Sequence, residues 1–567
     1  MRENIFVLLR RGEAVKGFLM SHVRIIPLGG MGNVTKNMFA YEYEDEILLV
    51  DCGIGFPESS MLGVDVLIPD VTYVKKRVEQ GARIVGMCIT HAHDDHIAAL
   101  PYVIPQLPDF PIYASELTSA FAMARMKDGG VEKEVFVAPF RKMVTLGSFQ
   151  VEFIHLTHSV PHTTHLAIDT PEGVIYHGSD FKLDLTPVDG KMPDFGAIAA
   201  VGERGVLCAL IDCLRVERSG WSPSENVLKD TFVRELADCE GKFIVTLMSS
   251  NLHRVQLLID ALAESGRKLV FIGRSIEQNV EIALGLGVLT IPKNMIVHKK
   301  KMDEYKDHEL CVVVAGSQGQ PGSSLVRAVF GEHHQLSIGA KDKVVFATEP
   351  IPGNEQNVYE AIDELSRNRI DIAYSDIAQG LHVSGHASST EQLLMVSLLK
   401  PKYLMPIGGS DRHRVQFSKV VEPMGYLKSD VLLPVEGEVV MFENGSIRKA
   451  ETLSLKSLMV DGLGVGDVGT VVLSDRKQMA EEGMIVVIIP ETAGEYDARN
   501  LKIVSRGFVF MRQADEVIQA IKEETASILS EGGEEQEIKR KIEKRVVKRM
   551  EEVIGRKPLV LPVFMSV

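Results

Sequence analysis

Three observations predict a layered α/β sandwich, interrupted by a βαβ domain and followed by a small α+β domain. From Ser21 onward, short runs rich in Ile, Val and Leu each end in a Gly or polar turn, the pattern of buried strands. Between residues 216 and 375 amphipathic segments alternate with such strands, and after that the earlier style, strands ending in His, resumes. The 567 residues, 45% of them apolar, suffice for more than one core.

In chain order, residues 1–20 (MRENIFVLLRRGEAVKGFLM) mix Arg10, Arg11, Glu13 and Lys16 with short apolar runs and lack a small-residue cleavage site. They read as an extension and not as a signal peptide. Residues 21–215 hold the strand candidates HVRIIPL, EILLVDCG, RIVGMCIT, FQVEFIHLTHS, HLAIDT, GVIYHGSD and GVLCALIDC, the first part of the sandwich. Residues 216–375 alternate SENVLKDTFVRELADC and HRVQLLIDALAESG with GKFIVTLMSS, RKLVFIG, CVVVAGSQG and KVVFATEP, which predicts a parallel sheet. Residues 376–450 complete the sandwich, so the middle block is inserted and not appended. Residues 451–567 carry the strand candidates VGDVGTVVLS, GMIVVIIPET and RNLKIVSRGFVF, then one Lys/Glu-dense helix from about Ala514 to Arg556.

With 62 Lys and Arg against 77 Asp and Glu, the net charge of -15 excludes a protein held on nucleic acid by bulk charge, but not a local basic groove. Six Cys with no C-x-x-C pair fit reduced, buried thiols, and the expected location is the cytoplasm. No apolar run reaches the roughly 18 residues a membrane helix needs.

The strongest chemical signal is His91-Ala92-His93-Asp94-Asp95-His96 after the strand VGMCIT. Two His two apart at a strand end point the same way and grip one cation, while Asp95 and His96 on the turn reach a second. Nitrogen and oxygen ligands suit Zn²⁺ or Mn²⁺, with Mg²⁺ a further candidate. Two cations need more ligands, including a bridging carboxylate. His158 in THSVPH and Asp180 in GSDFKLD lie at strand ends, but His155, His162, His165 and His177 crowd the same strands. Asp51 in LLVDCG is a candidate to orient a ligand His from behind.

LVDCG, THAHDDH, THSVPH and GSDFKLD resemble the four motifs of the metallo-β-lactamase fold, an αββα sandwich. LIDC with Asp212 and LHVSGH with His386 resemble the further motifs of the β-CASP nucleases, whose α/β domain is inserted into that sandwich. GGMGNVTKNM, AGSQGQPGSSLVRAV, EPIPGNE and VSGHASSTEQLLMVSLLKPKYLMPI resemble the ribonuclease J family, from about Ser21 to about Arg414. The resemblance implies a metal-dependent ribonuclease with 5′-to-3′ exonuclease and endonuclease activity in RNA processing and decay, hydrolysing phosphodiesters by metal-bound hydroxide. It also implies two divalent ions, a preference for single-stranded RNA with a 5′-monophosphate, and assembly as a dimer or tetramer. Carried over, His91, His93 and His158 hold one ion, Asp95 and His96 the other, and Asp180 bridges them. Asp95 orients the attacking hydroxide and His386 protonates the leaving oxygen. Asp51 and Asp212 support from outside the ligand shell, and His382, Ser384, Gly385 and His386 contact RNA phosphates.

One position departs from the family. After YLMPI the resemblance calls for a His ligand of the second ion, and this chain has Gly408. Asp411 and His413 lie near but off the motif position. Gly408→His is accordingly expected to strengthen the second site, provided the loop needs no positive φ. The departure also motivates an alternative, a catalytically weakened RNA-binding subunit of a degradation complex. A small-molecule hydrolase or flavodiiron oxidoreductase of the same fold is a further reading; His93 stands where the flavodiiron pattern has Glu.

Overall fold

The computed structural model describes residues 22–566 except 59, 352, 463, 467–468, 493–494 and 509–513, so the extension 1–20 lies outside the described residues. Two sheets face each other. The first has eight strands in the order Ser446–Thr452, Glu438–Glu443, Val23–Pro27, Phe39–Tyr43, Glu46–Val50, Arg83–Ile89, Ile112–Ala114 and Val135–Val137. The second has six, ordered Tyr403–Ile407, Val206–Asp212, Gly173–Gly178, Thr164–Thr170, Phe149–His155 and Met143–Leu146. Alternation along the strands explains the stacking: Phe149, Val151 and Phe153 meet Ile25, Phe39, Tyr41 and Leu48 between the sheets, while Ile154 points the other way. That outer face is covered by the helices Phe195–Arg204, Ser389–Leu399 and Asp411–Val421 through Ile198, Val201, Met395, Leu399 and Phe417. Helices Thr72–Glu79 and Glu116–Asp128 pack on the first sheet and complete the αββα sandwich.

The strands Val206–Asp212 and Tyr403–Ile407 are parallel neighbours, with Asp212 opposite Ile407, although the whole inserted domain separates them in sequence. That domain is a five-stranded parallel sheet, ordered Lys268–Ile272, Leu310–Val314, Phe243–Thr246, Lys343–Phe346 and Asp371–Ala373. Its strands read LCVVV, KLVFI and KVVF without alternation because helices bury both faces.

The C-terminal residues form a separate unit, to which Pro57–Leu67 also belongs. Strands Met484–Thr492, Lys502–Arg506 and Leu559–Ser566 pair there, and Ile485, Val487 and Ile489 pack on helical Ile521, Ile528, Ile542 and Val546. Two expectations fail in this unit. VGDVGTVVLS is not a strand throughout, because a helix Thr470–Glu482 begins within it. The β-branched start misleads, and the helix-forming SDRKQMAEE that follows decides. The single Lys/Glu-dense helix is two, Ala514–Glu531 and Glu535–Ile554, parted at Gly532 (φ 69°) and Gly533 (φ 134°). Positive φ at consecutive residues is unstrained only for glycine.

Candidate metal centre

The candidate ligands of the sandwich are delivered at or just beyond strand ends, and His386 on the loop before helix Ser389–Leu399. The strand Arg83–Ile89 leads to His91, and the short turn of helix Asp94–Ile97 then turns Asp95 and His96 inward. His158 follows Phe149–His155, Asp180 follows Gly173–Gly178, and Asp212 closes Val206–Asp212. Among the described residues three candidate ligand groups form around one carboxylate: His91, His93, His158 and Asp180; Asp95, His96 and Asp180; and Asp180, Asp212 and His386, with ligand atoms within 4.8 Å of one another in each. Asp180 Oδ2 lies 3.7 Å from His91 Nε2, 3.6 Å from His96 Nε2 and 3.8 Å from His158 Nε2. Ligands about 2.1 Å from a tetrahedral ion are roughly 3.4 Å apart, so these gaps fit a divalent cation. His91 Nε2, buried and facing the group, has no hydrogen-bond partner within the chain, as a ligand nitrogen requires.

The far side of each imidazole is held. His91 Nδ1 meets Thr90 Oγ1 at 3.1 Å, His93 Nε2 meets Ser159 Oγ at 3.0 Å, His96 Nδ1 donates to Asp51 Oδ2 at 2.8 Å, and His158 Nδ1 donates to the Gly385 carbonyl at 2.7 Å. Such outer contacts fix the ring tautomer and orientation. Asp51 also accepts from Thr90 N and Thr90 Oγ1, both at 2.8 Å, and takes a left-handed φ of 58° to do so. Burial pushes His91 and His158 well below the usual imidazole range and His93 down to about 3, so all three are neutral and able to ligate. For His96 burial opposes the charge, yet Asp95, Asp51 and Asp180 raise it well above that range, a demand for positive charge that a cation also meets.

His386 stands beside the groups. Its Nδ1 is 2.7 Å from Asp212 Oδ2 and its Nε2 is 4.0 Å from Asp180 Oδ2. Against its burial, Asp212 and Asp180 hold its pKa up to about 9, so it carries a proton at neutral pH. A cleft of about 760 Å³ opens over this cluster, lined by Ser384, Gly385, His386 and His382, and by Ser250, Asn251, Gln318 and Thr348 of the inserted domain. Arg125, Arg215, Arg218 and Arg412 also face it beside Asp94, Glu217 and Glu349, with Arg125 paired to Asp94 and Arg412 to Glu217, so the lining carries both signs of charge.

His93, Asp95, His158, Asp180, His382, Ser384, Gly385 and His386 line this cleft, with His91, His96, Asp51 and Asp212 buried beneath it. His155, His162, His165 and His177 do not join the ligand groups: His155 and His162 bond to Lys191, His165 to Tyr176, and His177 to Tyr41. Asp411 is exposed and paired with Arg414, and His413 bonds to Ser410 and approaches Glu217, so neither enters a group. Three supporting residues had no sequence reading. Ser159 orients His93. Asn37 donates its amide to the Asp95 carbonyl at 3.3 Å and lies 3.0 Å from His96 Nε2. Arg254, 1% exposed on helix Leu252–Leu262, is paired with Glu225 and donates to the carbonyls of Ala347 and Val383 while touching His382. An Arg amid the apolar LHRVQLLIDAL was the one available signal for it.

Two substitutions test the cluster. A Cβ on Gly385 would lie 2.8 Å from His158 Cε1 and 2.9 Å from its Nδ1, too close to stand. Gly385→Ala is therefore expected to displace His158 and weaken divalent-metal binding by roughly 10- to 100-fold in a metal titration. Gly408 has φ 67°, and its Cβ position is 3.5 Å from Asp212 Oδ1 and 3.6 Å from Asp180 Oδ1. There is space for a side chain, but the condition attached to the sequence expectation fails. The metal-free Gly408→His protein should lose about 1–2 kcal/mol in denaturant unfolding because of the left-handed backbone, with added divalent metal restoring part of it.

The sandwich, the inserted parallel domain and the His/Asp cluster together define a divalent-metal-binding hydrolase of the metallo-β-lactamase class with a β-CASP domain. Residues 31–186 match the metallo-β-lactamase superfamily, 240–365 the ribonuclease J β-CASP domain and 471–567 the ribonuclease J C-terminal domain. The chain is 33% identical over 554 residues to ribonuclease J2 of Bacillus subtilis, covering 96% of this chain and 99% of that one. It is 34% identical over 563 residues to ribonuclease J of Thermus thermophilus, covering 97% and 96%. A crystal structure of an Enterococcus faecalis protein of unknown function shares the fold, with a TM-score of 0.51 and 15% identity over 74% of this chain and all of that one. The chain belongs to the ribonuclease J family and is a metal-dependent ribonuclease. The His/Asp cluster and this membership do not favour the alternative, a catalytically weakened RNA-binding subunit of a degradation complex.

Proposed function

We propose that the chain is a two-cation ribonuclease that acts 5′ to 3′ on single-stranded, 5′-monophosphorylated RNA, with endonuclease activity, in RNA processing and decay. The observation that carries this reading is the pair of ligand groups sharing Asp180 at the floor of a cleft that Arg215 and Arg218 also line. His91, His93, His158 and Asp180 would hold one ion, and Asp95, His96 and Asp180 the other. Bound divalent ions supply Lewis-acid polarisation of a phosphoryl oxygen and ease loss of a proton from water at neutral pH. Asp95, itself among the candidate ligands, aligns the attacking water. Ser384 and Gly385 hold the neighbouring phosphate, with His382 alongside, and Arg254 keeps that loop in place through Val383. His386, its Nδ1 engaged by Asp212, presents a protonated Nε2 to the leaving 3′-oxygen. Direction, 5′-phosphate preference and assembly as a dimer or tetramer rest on the family resemblance, and Zn²⁺ at the His-rich group rests on ligand type. Six free, buried cysteines support a reducing, cytoplasmic setting; among the described residues no helix is long and apolar enough to cross a membrane.

The test is metal content per chain together with hydrolysis of a 5′-monophosphorylated RNA. Two ions and turnover support the reading, whereas turnover that is insensitive to chelator refutes it. Binding should also weaken with salt despite the net charge of -15, because Arg215 and Arg218 in the cleft would neutralise phosphates. The expected log–log slope is about -0.7 per contact for single strands, and a flat response in a fluorescence-anisotropy titration would contradict it.

A further inference from the structure

Glu391 is fully buried near the start of helix Ser389–Leu399, and three backbone N–H groups converge on its carboxylate. Leu183 N donates to Oε1 at 2.8 Å, while Ser222 N and Ser388 N donate to Oε2 at 2.6 Å and 2.8 Å. The three donors belong to different segments. Leu183 lies three residues past Asp180, Ser222 lies where the chain crosses from the sandwich to the inserted domain, and Ser388 lies two residues past His386 on the way back. Ser222 adds a second tie: its buried hydroxyl donates to the His386 carbonyl at 2.7 Å and accepts from Ser388 N at 3.1 Å. From the other side Thr157, the neighbour of His158, accepts from Lys182 N at 2.8 Å and Asp184 N at 3.0 Å. The bonds to Glu391 are all buried, so moving any one segment leaves an N–H without a partner.

We propose that Glu391 and Ser222 are positioning residues that hold the proton donor His386 at a fixed distance from the carboxylate of Asp180; this rests on the reading of His386 as general acid. The two side chains reach that end by different routes. Glu391 ties the loop of Asp180 to the loop of His386 through one carboxylate. Ser222 holds the His386 backbone itself, where His386 Nε2 stands 4.0 Å from Asp180 Oδ2. Both ties pass through the entry to the inserted domain, so a shift of that entry moves the proton donor relative to the metal ligands. A misplacement of about 1 Å at a reacting group costs on the order of 100-fold in rate.

The test is a double-mutant cycle of Ser222→Ala and His386→Gln in the full-length chain, read by single-turnover cleavage of a labelled 5′-monophosphorylated RNA at saturating Zn²⁺, with zinc affinity measured by calorimetry. Ser222→Ala should keep its zinc affinity and slow cleavage about tenfold or more, because the freed His386 carbonyl lets the ring drift. In the His386→Gln background the same change should cost less than about twofold, since no proton donor remains to be placed. An unchanged rate in Ser222→Ala overturns the inference, as does a loss that adds in full in the His386→Gln background, because Ser222 would then support only the fold. His386→Gln cleaving as fast as wild type refutes the general-acid reading itself, an outcome read without any Ser222 variant. Glu391→Gln keeps the side-chain volume, but one amide oxygen cannot accept on both sides, so its NH₂ group meets a backbone N–H. It should weaken zinc binding or slow cleavage about tenfold, and both unchanged overturns the role of Glu391. Should Glu391→Gln fail to fold, the Ser222 cycle decides alone.

Discussion

His93→Ala is expected to abolish RNA hydrolysis while leaving the chain folded. His93 is partly exposed at the cleft, belongs to no apolar cluster, and makes its contacts with His158 Nε2 at 3.1 Å and Ser159 Oγ at 3.0 Å. Truncation therefore opens no core cavity, and its cost falls on the metal group. Loss of an outer contact to a ligand costs roughly 10- to 100-fold in affinity or activity, and loss of a ligand should cost more. Zinc content per chain, circular dichroism and single-turnover cleavage of a labelled RNA together check the expectation. Near-normal cleavage by a folded, zinc-depleted variant would remove His93 from the chemistry.

His386→Gln is expected to lower the maximal rate by about 10²- to 10⁴-fold, the usual worth of a positioned general acid. Glutamine keeps a donor for Asp212, so the loop before helix Ser389–Leu399 should hold. The pH profile separates this role from simple support. The pKa of His386 is raised to about 9 by Asp212 and Asp180 against the pull of burial, so the acid form prevails below that value and is lost above it. Nearby cations will lower the value by charge repulsion, but the sign stands. The wild-type rate should thus fall on the alkaline side, and that limb should vanish in His386→Gln. The same shift stabilises the metal-free fold fully below the unfolded value of about 6.5, and the contribution disappears as pH rises through about 9. An unchanged alkaline limb in the variant would assign it to another group.

His91, His93, Asp95 and His96 were legible because their spacing is local: a strand end and one helical turn bring four side chains together with no help from the rest of the chain. The α/β alternation was equally local, since strands buried on both faces must be apolar throughout, as in LCVVV. Local reading failed where a short β-branched run was read without the helix-forming residues that follow it, at the helix Thr470–Glu482, and where two glycines split a charged helix at Gly532–Gly533. Arg254 was beyond it altogether, because a buried Arg is defined by Glu225, Ala347 and Val383, all remote in sequence.

The sequence by itself determined the class of chemistry, because ligand types and their short spacings are written along the chain and need only a strand to present them. His158 and Asp180 were named from the sequence only through the family motifs, and the tertiary structure brings them beside His91 and His96 and sets what stands opposite Gly408. His158 is distinguished from its histidine neighbours only by reaching Asp180 at 3.8 Å and the Gly385 carbonyl at 2.7 Å. Asp212 meets His386 across 174 positions, and Gly408 only because two parallel strands flank an inserted domain. Such encounters depend on sheet order and register, and a one-residue slip turns every side chain of a strand to the opposite face.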